Sequence, residues 1–406
     1  RSTLFPYTTL FRSTDAEKKR VQRAVATAQL IIDVLAQTGD TDEQIPDAKV
    51  RIGIDTGLAL AVNNGRNGNR EPLFLGDPAN HAAKLSSNNK PKGIFLTNAA
   101  RKVIGLEEKD APEKHALTTE EIKACQDAAK LDVTADEIVQ EWRDDMKKNP
   151  IGNYQFTRQT PPLKDMDISV LTPANSKRQE MISIYADIDG FTKYVTDHID
   201  DNAGDVVRTL HVLRAELERV VTADFQGRRV RFIGDCVHGL YADGTAHTTD
   251  EELSVSEATR LAGALRSSFN LSIERLTEKG YSTGDLGLAI GFDLGPVSVT
   301  RLGTKGHRVR CAIGRKVLNS ENRQCDCKGD ETAIGQAAYD AGTDAVRKLF
   351  GKTLKVANLD YEEATEGLAD NGDEAAKNAR AAAYEGAPAI LRASEREVRP
   401  YANVLR

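Results

Sequence analysis

The sequence predicts an α+β protein in which one complete domain with a ferredoxin-like βαββαβ arrangement follows a truncated copy of the same domain. Three observations lead to this prediction. The chain has 406 residues, which is enough for two or three domains at about 150 residues each. A seven-residue motif occurs twice, at residues 51–57 and 289–295. Strand-type and helix-type hydrophobic patterns alternate ahead of the second occurrence.

The two copies hold an almost constant spacing along the chain. Two pairs of matching positions lie 238 residues apart, and two pairs of polar positions just beyond them lie 239 apart. The pairs are Ile52 with Ile290, Gly76 with Gly314, Asn80 with Asn319, and Lys84 with Arg323. This pattern indicates a duplicated domain, with one residue inserted in the second copy before Asn319.

The repeat also suggests how the chain is divided. Residues 1–13 resemble a translated sequencing adapter, so we set them aside and expect a gene truncated at its 5′ end. The first copy then lacks the part equivalent to residues 178–251. The expected domains are 1–13 (adapter-like segment), 14–105 (truncated first copy), 106–179 (helical insert and linker), 180–345 (complete copy) and 346–406 (C-terminal tail).

Within the complete copy, the order of the elements follows from hydrophobic periodicity and turn signals. Apolar residues at helical spacing between 206 and 220 and between 256 and 276 predict two helices. A hairpin is expected to turn at Gly234 and Asp235. Strands are expected at 181–186, 227–233, 237–241, 286–292, 296–301 and 308–313. The resulting order, β-α-β-β-α-β, is the ferredoxin-like one.

Composition excludes several classes of function. The formal net charge is −6 and aromatic residues make up 5%, which argues against nonspecific nucleic-acid binding. Charged residues interrupt every apolar stretch, so we expect no membrane span and a cytoplasmic protein. The five cysteines do not indicate a disulfide framework. Cys325 and Cys327 have no His or second cysteine pair nearby in sequence, and His238 is expected to be structural.

Two aspartates stand out as candidate metal ligands. Asp187 lies at the end of a predicted strand and Asp235 at a predicted hairpin tip. If these strands are neighbours, the two carboxylates face each other at one sheet edge. Hard divalent ions such as Mg²⁺ and Mn²⁺ prefer oxygen ligands of this kind, and two such ions can clamp a phosphoryl group. The alternative is that each aspartate simply caps a turn.

These residues carry a resemblance to a known family. Residues 180–345 resemble the class III nucleotide cyclases through four stretches, and residues 14–105 resemble the back half of the same domain. The four stretches are 185–192, 231–235, 291–295 and 313–323. Members of this family pair two cyclase domains, within a chain or as a homodimer. They convert a ribonucleoside triphosphate to a 3′,5′-cyclic nucleotide and pyrophosphate.

The resemblance implies a role for each matching position. Asp187 and Asp235 would hold two Mn²⁺ or Mg²⁺ ions, assisted by the carbonyl of Ile188. Asn319 would orient the ribose, and Arg323 would stabilise charge on the pentavalent phosphate. The first copy keeps Asn80 but has Lys84 at the arginine position, and lysine lacks the bidentate fork of arginine.

The positions that read the base depart from the purine-specific enzymes. Arg231 and Cys311 match neither the adenylyl nor the guanylyl cyclase pattern. Tyr185, two residues before the first metal aspartate, and Arg231, four before the second, resemble the pyrimidine cyclases of bacterial antiphage (Pycsar) systems. Tyr185 would narrow the pocket and Arg231 would donate to a pyrimidine carbonyl, so UTP is favoured over CTP.

The resemblance also implies a second-messenger role. The cyclic product would act on a cyclic-nucleotide-binding effector encoded nearby. Two alternatives remain open at this stage: a catalytically weak or inactive regulatory module that binds a nucleotide, and a purine cyclase that makes cyclic AMP or cyclic GMP. The substitution at Lys84 and the expected insertion before Asn319 favour the regulatory alternative.

Overall fold

The computed structural model describes residues 14–41, 48–64, 71–87, 91–150, 153–160, 162–303 and 308–384. The adapter-like segment 1–13 lies outside the described residues. The chain forms two compact units, Arg1–Pro150 and Ile151–Arg406, and the division falls inside the predicted insert and linker. In the described part of the chain, none of the helices combines the length and the apolar character needed to cross a bilayer.

The first unit combines a small parallel sheet, a hairpin and five α-helices in its described residues. Strand β1 pairs in parallel with β4, and β2 pairs with β3 as an antiparallel hairpin. The elements are α1 (Thr14–Thr41), β1 (Arg51–Ile54), β2 (Leu60–Asn64), β3 (Glu71–Leu75), α2 (Asp77–Ser87), β4 (Gly93–Leu96), α3 (Asn98–Ile104), α4 (Thr119–Ala129) and α5 (Ala135–Lys148). Capping boxes at Thr118 and Thr134 start the last two helices because each hydroxyl accepts a backbone N–H three residues on.

The second unit is built on an eight-stranded sheet. Its elements are β5 (Phe156–Thr157), β6 (Ser176–Asp189), α6 (Phe191–Arg219), β7 (Arg228–Ile233), β8 (Cys236–Tyr241), α7 (Glu251–Glu278), β9 (Gly287–Leu302), β10 (Val309–Ile313), α8 (Arg315–Cys325), β11 (Glu331–Ile334), α9 (Gln336–Ala341), α10 (Asp344–Phe350), β12 (Lys355–Ala357), α11 (Tyr361–Asp370) and α12 (Glu374–Tyr384). From β6 to β9 the order is β-α-β-β-α-β, in the sequence expected.

Strand β6 lies at the centre of the sheet. The order is β12-β11-β9-β6-β8-β7, with β10 added to β9 and β5 added to β6. One prediction is corrected here: the strands expected at 286–292 and 296–301 form a single strand, β9. The expected gap at residues 293–295 stays extended because these residues lie opposite Met181, Ile182 and Ser183 of β6.

Side chains on opposite faces of this sheet meet different partners. Helices α6 and α7 pack together against β6 and β8, whereas α8 packs against β9 and β6. Tyr185 of β6 and Leu240 of β8 share one buried apolar cluster with Val317 of α8. Alternate residues of a strand point to opposite faces, so the odd-numbered residues of β6 around Tyr185 lie on the α8 face. This face carries the candidate site.

Candidate active site

The structure brings Asp187 and Asp235 to one edge of the sheet, as predicted. Asp187 is three residues before Gly190, whose positive φ of 79° turns the chain from β6 into α6. Asp235 follows Gly234, which has a φ of 62° in the turn between β7 and β8. Because β6 and β8 are antiparallel neighbours, with Ala186 opposite Val237, the end of one strand meets the start of the other.

The two carboxylates interact electrostatically. Burial and the nearby charge of Asp189 raise the pKa of Asp187, while a hydrogen bond from the Cys236 thiol acts in the opposite direction. Burial and the charge of Asp187 raise the pKa of Asp235. Two partly dehydrated carboxylates therefore repel each other at this edge, and a bound cation would relieve that repulsion.

A buried arginine supports this pair from helix α6. The guanidinium of Arg214 lies 3.8 Å from the centre of the Phe232 ring and its side chain is buried. Its charge lowers the pKa of Asp235, against the larger effect of burial. Sequence reasoning missed Arg214 because a lone arginine within an amphipathic helix carries no local signal.

The donor set fits a magnesium-type ion. Asp187 and Asp235 supply two carboxylates, and Ile188 lies between Asp187 and Asp189 on the same strand end. The third carboxylate, Asp189, accepts a hydrogen bond of 2.9 Å from the amide of Gly329. Among the described residues no group of three or more His, Cys, Asp or Glu side chains is arranged to hold a metal. Mg²⁺ characteristically takes only one or two protein carboxylates and completes its shell with water and substrate phosphates.

A cavity of about 400 Å³ opens beside Asp187 and Asp189, and Asp235 is adjacent in sequence to the lining residue Cys236 without lining the cavity itself. Its lining includes the carboxylates of Asp187, Asp189 and Glu321 and no Lys or Arg from the described residues. The lining residues are Tyr185, Asp187, Asp189, Ile233, Cys236, Ala289, Glu321, Gln324, Cys325 and Cys327. A triphosphate entering so acidic a cavity needs accompanying cations to offset the repulsion.

Tyr185 lines the cavity and is 4% exposed. It packs in the apolar cluster that includes Leu240 and Val317. Burial raises the pKa of the Tyr185 hydroxyl, while the positive charge of Arg231 acts to lower it. The structure therefore places Arg231 near Tyr185, across the intervening strand β8.

The cysteines and α8 add groups that sequence reasoning did not assign to the site. Cys325 and Cys327 line the cavity, and the Cys327 thiol lies 3.2 Å from the carbonyl oxygen of Arg323 and 3.4 Å from that of Ile290. Cys311 lies outside the cavity lining, on β10, opposite Thr300. Glu321, Gln324 and Cys325 are three or four residues apart on one helix, so they share a helix face. This spacing could have indicated that α8 forms a wall of the cavity.

The structure corrects the expected insertion before Asn319. Gly53 faces the carbonyl of Ala82 and the amide of Ser86, and Gly291 faces the carbonyl of Ser320 and the amide of Gln324. Each residue of the first copy in these contacts lies 238 residues before its counterpart in the second copy. Two further equivalent contacts keep the same spacing. In the helices, the Asn80 amide donates to the Gly76 carbonyl, as the Leu318 amide does to the Gly314 carbonyl. In the sheets, Ile52 pairs with Ile94, as Ile290 does with Thr332.

The match of Asn80 with Asn319 and of Lys84 with Arg323 is therefore wrong. At the spacing of 238, Leu318 stands where the first copy has Asn80, and Asn322 stands where it has Lys84. An inserted residue would rotate the following helical positions by about 100°, which the shared glycine contacts exclude. The sequence comparison went wrong because it matched residue types rather than the phase of the helix.

Asn319 instead corresponds to His81. The His81 ring nitrogen lies 2.9 Å from the Asp55 carboxylate, and the Asn319 amide donates to the equivalent Asp293 at 3.4 Å. Asp293 is fully buried and also lies 3.3 Å from the Lys316 ammonium. Arg323 is half-buried on α8 and is not part of the cavity lining.

Comparison with known proteins identifies the family. A uridylate cyclase from Pseudomonas aeruginosa is 76% identical over 396 residues, covering 98% of this chain and 76% of the relative. A second uridylate cyclase, from a Rhizobium species, is 40% identical over 353 residues, covering 82% of this chain and 66% of that relative. The chain belongs to the uridylate cyclase family.

A solved structure agrees with this membership. It is the crystal structure of a class III adenylyl cyclase-like ATP-binding protein from Pseudomonas aeruginosa, with 77% identity and a TM-score of 0.85. The match covers 89% of this chain and 76% of that one. No family model matches the sequence. Membership of the uridylate cyclase family confirms the resemblance to class III cyclases and the mixed α/β fold expected from it.

Proposed function

We propose that this protein is a uridylate cyclase, which converts UTP to 3′,5′-cyclic UMP and pyrophosphate on a ferredoxin-like core. Two relatives of high similarity bear that name. The observation that carries the proposal is the pair Asp187 and Asp235 at the edge of an acidic cavity. Tyr185 lies on the wall of the same cavity.

The reaction balances within the substrate. The ribose 3′-oxygen forms a bond to the α-phosphorus, the bond from that phosphorus to the bridging oxygen breaks, and pyrophosphate leaves with the electron pair. The 3′-hydroxyl proton passes to solvent. Asp187, Asp235 and the Ile188 carbonyl would hold two Mg²⁺ or Mn²⁺ ions, which neutralise charge on the phosphates and favour ionisation of the 3′-hydroxyl. The protein's own part is to bind and orient the triphosphate at this edge.

Tyr185 and Arg231 are the proposed base-reading residues. The Tyr185 ring occupies space on the cavity wall, which favours a one-ring base over a purine. Its hydroxyl and the Arg231 guanidinium are both hydrogen-bond donors. Arg231 is not part of the cavity lining and would have to extend its side chain past His238 of β8 to reach the base. Uracil presents two carbonyl acceptors, whereas cytosine replaces one of them with an amino group, so this pair of donors favours UTP over CTP.

By helix position, Asn80 and Lys84 of the first copy, and not Asn319 and Arg323, match the family's ribose and phosphate positions. The corrected spacing removes the argument that tied the latter two to the family's catalytic positions. Asn319 is then a residue that holds Asp293, and Arg323 is a half-buried residue of α8 outside the cavity lining. Lys84 is exposed and would contribute charge without the bidentate geometry of arginine.

The wider role is proposed from the resemblance to antiphage pyrimidine cyclases. The enzyme would work in the cytoplasm as a pair of cyclase domains, and its product would be an antiviral second messenger read by an effector encoded nearby. Pairing is tested by light scattering across a range of protein concentrations. Cyclic UMP that activates a neighbouring gene product would support the messenger role.

Cyclisation of ATP is the second candidate function. The observation that favours it is the description of the similar solved structure as an ATP-binding protein. A cavity that admits ATP would have to accommodate a two-ring base beside Tyr185, so the two candidates differ in what Tyr185→Ala does. Removal of the ring is expected to raise ATP turnover if the native substrate is UTP, and to leave the preference for ATP unchanged if ATP is the native substrate.

The proposed chemistry is tested by neutralising one carboxylate at a time. Asp187→Asn is expected to lower the rate of cyclic UMP formation with UTP and Mn²⁺ by at least about 10³-fold, since it removes a metal ligand. Asp189→Asn, two residues along the same strand, is the matched control and is expected to lose less than about tenfold, because its carboxylate holds the Gly329 amide. Equal losses in the two variants would refute the assignment.

A further inference from the structure

A row of side chains crosses three strands on the α8 face of the sheet. His238 on β8 lies opposite Arg231 on β7 and opposite Tyr185 on β6. Directly opposite residues of paired strands place their side chains on the same face. His238 therefore stands between the two residues proposed to read the base, although sequence reasoning treated it as a purely structural histidine.

The His238 ring is stacked on the Tyr185 ring. The ring centres are 4.2 Å apart and the planes differ by 12°, a close parallel arrangement. Both side chains are buried, at 2% exposure for His238 and 4% for Tyr185. Tyr185 reaches the cavity, whereas His238 is not part of the cavity lining. His238 therefore backs the Tyr185 ring on the side away from the cavity.

A chain of hydrogen bonds fixes the orientation of His238. Its Nε2 lies 3.1 Å from the Ser183 hydroxyl, which accepts a hydrogen bond of 2.8 Å from the hydroxyl of Ser320 on α8. The Ser320 hydroxyl lies a further 2.8 Å from the carbonyl oxygen of Lys316. The side chains of His238, Ser183 and Ser320 are all buried, so the imidazole plane is tied to both β6 and α8.

The charge state of His238 supports the same arrangement. Burial first, and the neighbouring Arg231 guanidinium second, lower the pKa of His238 to about 3. The ring is then neutral at physiological pH. A neutral ring can stack on Tyr185 without attracting a counter-ion into the core.

We propose that His238 is a positioning residue that holds the Tyr185 ring against the cavity and thereby sets the size of the base that the cavity accepts. The inference deepens the proposed function and rests on it for the identity of the substrate. His238 itself touches neither substrate nor metal. Its contribution is to prevent the Tyr185 ring from turning away and leaving room for a purine.

The test compares two substitutions that share every change except the flat ring. His238→Phe and His238→Leu both fill the site with an apolar side chain, and both lose the hydrogen bond to Ser183. Only phenylalanine can still stack on Tyr185. Binding of 3′-deoxy-UTP and 3′-deoxy-ATP, which lack the attacking hydroxyl, is measured by calorimetry with Mn²⁺. kcat and KM for UTP and ATP are measured alongside.

His238→Phe is expected to keep the ratio of the two dissociation constants within about threefold of the wild type. His238→Leu is expected to reduce the preference for the uridine nucleotide by about tenfold or more, through KM rather than kcat. Circular dichroism checks the fold. If His238→Leu fails to fold, His238→Met replaces it, because methionine also lacks a flat ring and should shift selectivity in the same direction. If His238→Phe fails to fold, His238→Tyr replaces it, because tyrosine keeps a flat ring.

Two results would overturn the inference: an unchanged preference in folded His238→Leu or in the His238→Met variant that replaces it, or an equal loss in the ring-bearing and ring-free variants. Failure of the proposed function looks different. A wild-type enzyme that forms no cyclic UMP would refute the proposed function, while the binding ratios of the 3′-deoxy nucleotides would still decide the role of His238.

Discussion

The two copies of the repeat share a buried skeleton. In each, a glycine of a strand lies against the backbone of the following helix, Gly53 against α2 and Gly291 against α8. In each, the side chain of an aspartate two residues later is buried and bonds to a side chain of that helix: Asp55 to His81, and Asp293 to Asn319. The spacing of 238 residues is kept at every one of these contacts.

The outer side of the helix is where the copies differ. Asn80 and Lys84 of the first copy are replaced by Leu318, which is 56% exposed, and by the exposed Asn322. Buried contacts that lock a helix onto a strand tolerate little change, whereas exposed side chains are free to vary. One scaffold therefore carries an asparagine and a lysine on this side of the helix in the first copy, and a leucine and an asparagine in the second.

The largest effect in this comparison is expected on the reaction rate, which a substitution on α2 should lower more than the equivalent substitution on α8. Lys84→Ala is expected to lower kcat by about 10²-fold, because a positive charge that stabilises a transition state contributes about that much. Asn322→Ala, at the equivalent position of α8, is expected to change kcat less than about threefold. Rates of cyclic UMP formation at saturating UTP and Mn²⁺ provide the measurement. A larger loss in the Asn322 variant would reverse the comparison.

The shared skeleton should be equally intolerant of change in both copies. A Cβ at Gly291 would lie 2.2 Å from the Gln324 amide, and one at Gly53 would lie 2.3 Å from the Ala82 carbonyl oxygen. Gly291→Ala and Gly53→Ala are each expected to lower the free energy of unfolding by more than about 2 kcal/mol.

The matched control is Gly204→Ala in α6. No atom lies within 4 Å of a Cβ at Gly204, so this variant should be neutral or more stable by about 0.5–1 kcal/mol. Urea unfolding followed by circular dichroism gives all three values. Comparable stability of the Gly291 and Gly204 variants would show that α8 does not pack as closely as the glycine contacts require.

The sequence predicted those structural features that depend on local turn signals or on periodic hydrophobic patterns. The hairpin at Gly234 and the meeting of Asp187 with Asp235 follow from turn residues and from the pairing of neighbouring strands. The continuity of β9 through Pro296 was missed because pairing with β6 overrides a local break signal. The phase of α8 was missed because only contacts with Gly291 reveal which helical residues face the strand.

The smallest effect concerns the metal ligands and the stability of the second unit. Burial raises the pKa values of Asp187 and Asp235, and the charges of Asp189 and of Asp187, respectively, raise them further. The metal-free native state therefore binds more protons than the unfolded state between about pH 4 and pH 8. Metal-free stability should therefore fall as pH rises through this range. Asp187→Asn should raise the metal-free Tm at pH 8 by about 2–4 °C.

Thermal unfolding in EDTA and in Mn²⁺, at pH 5 and pH 8, checks this prediction. Mn²⁺ should stabilise the wild type more at pH 8 than at pH 5, since protonated carboxyls do not bind the ion. It should stabilise the Asp187→Asn variant little at either pH. A metal-free Tm that is independent of pH and unaffected by the substitution would contradict the burial and electrostatic repulsion of the Asp187 and Asp235 carboxylates.

The central claim is that the Asp187–Asp235 edge, beside the narrowed cavity of Tyr185, cyclises UTP. The most direct measurement incubates the protein with an equimolar mixture of UTP, CTP, ATP and GTP and with Mn²⁺, and resolves the products by chromatography and mass. The account predicts cyclic UMP as the dominant product and its disappearance in Asp187→Asn. Cyclic AMP as the dominant product, or cyclic UMP that persists in Asp187→Asn, would contradict it.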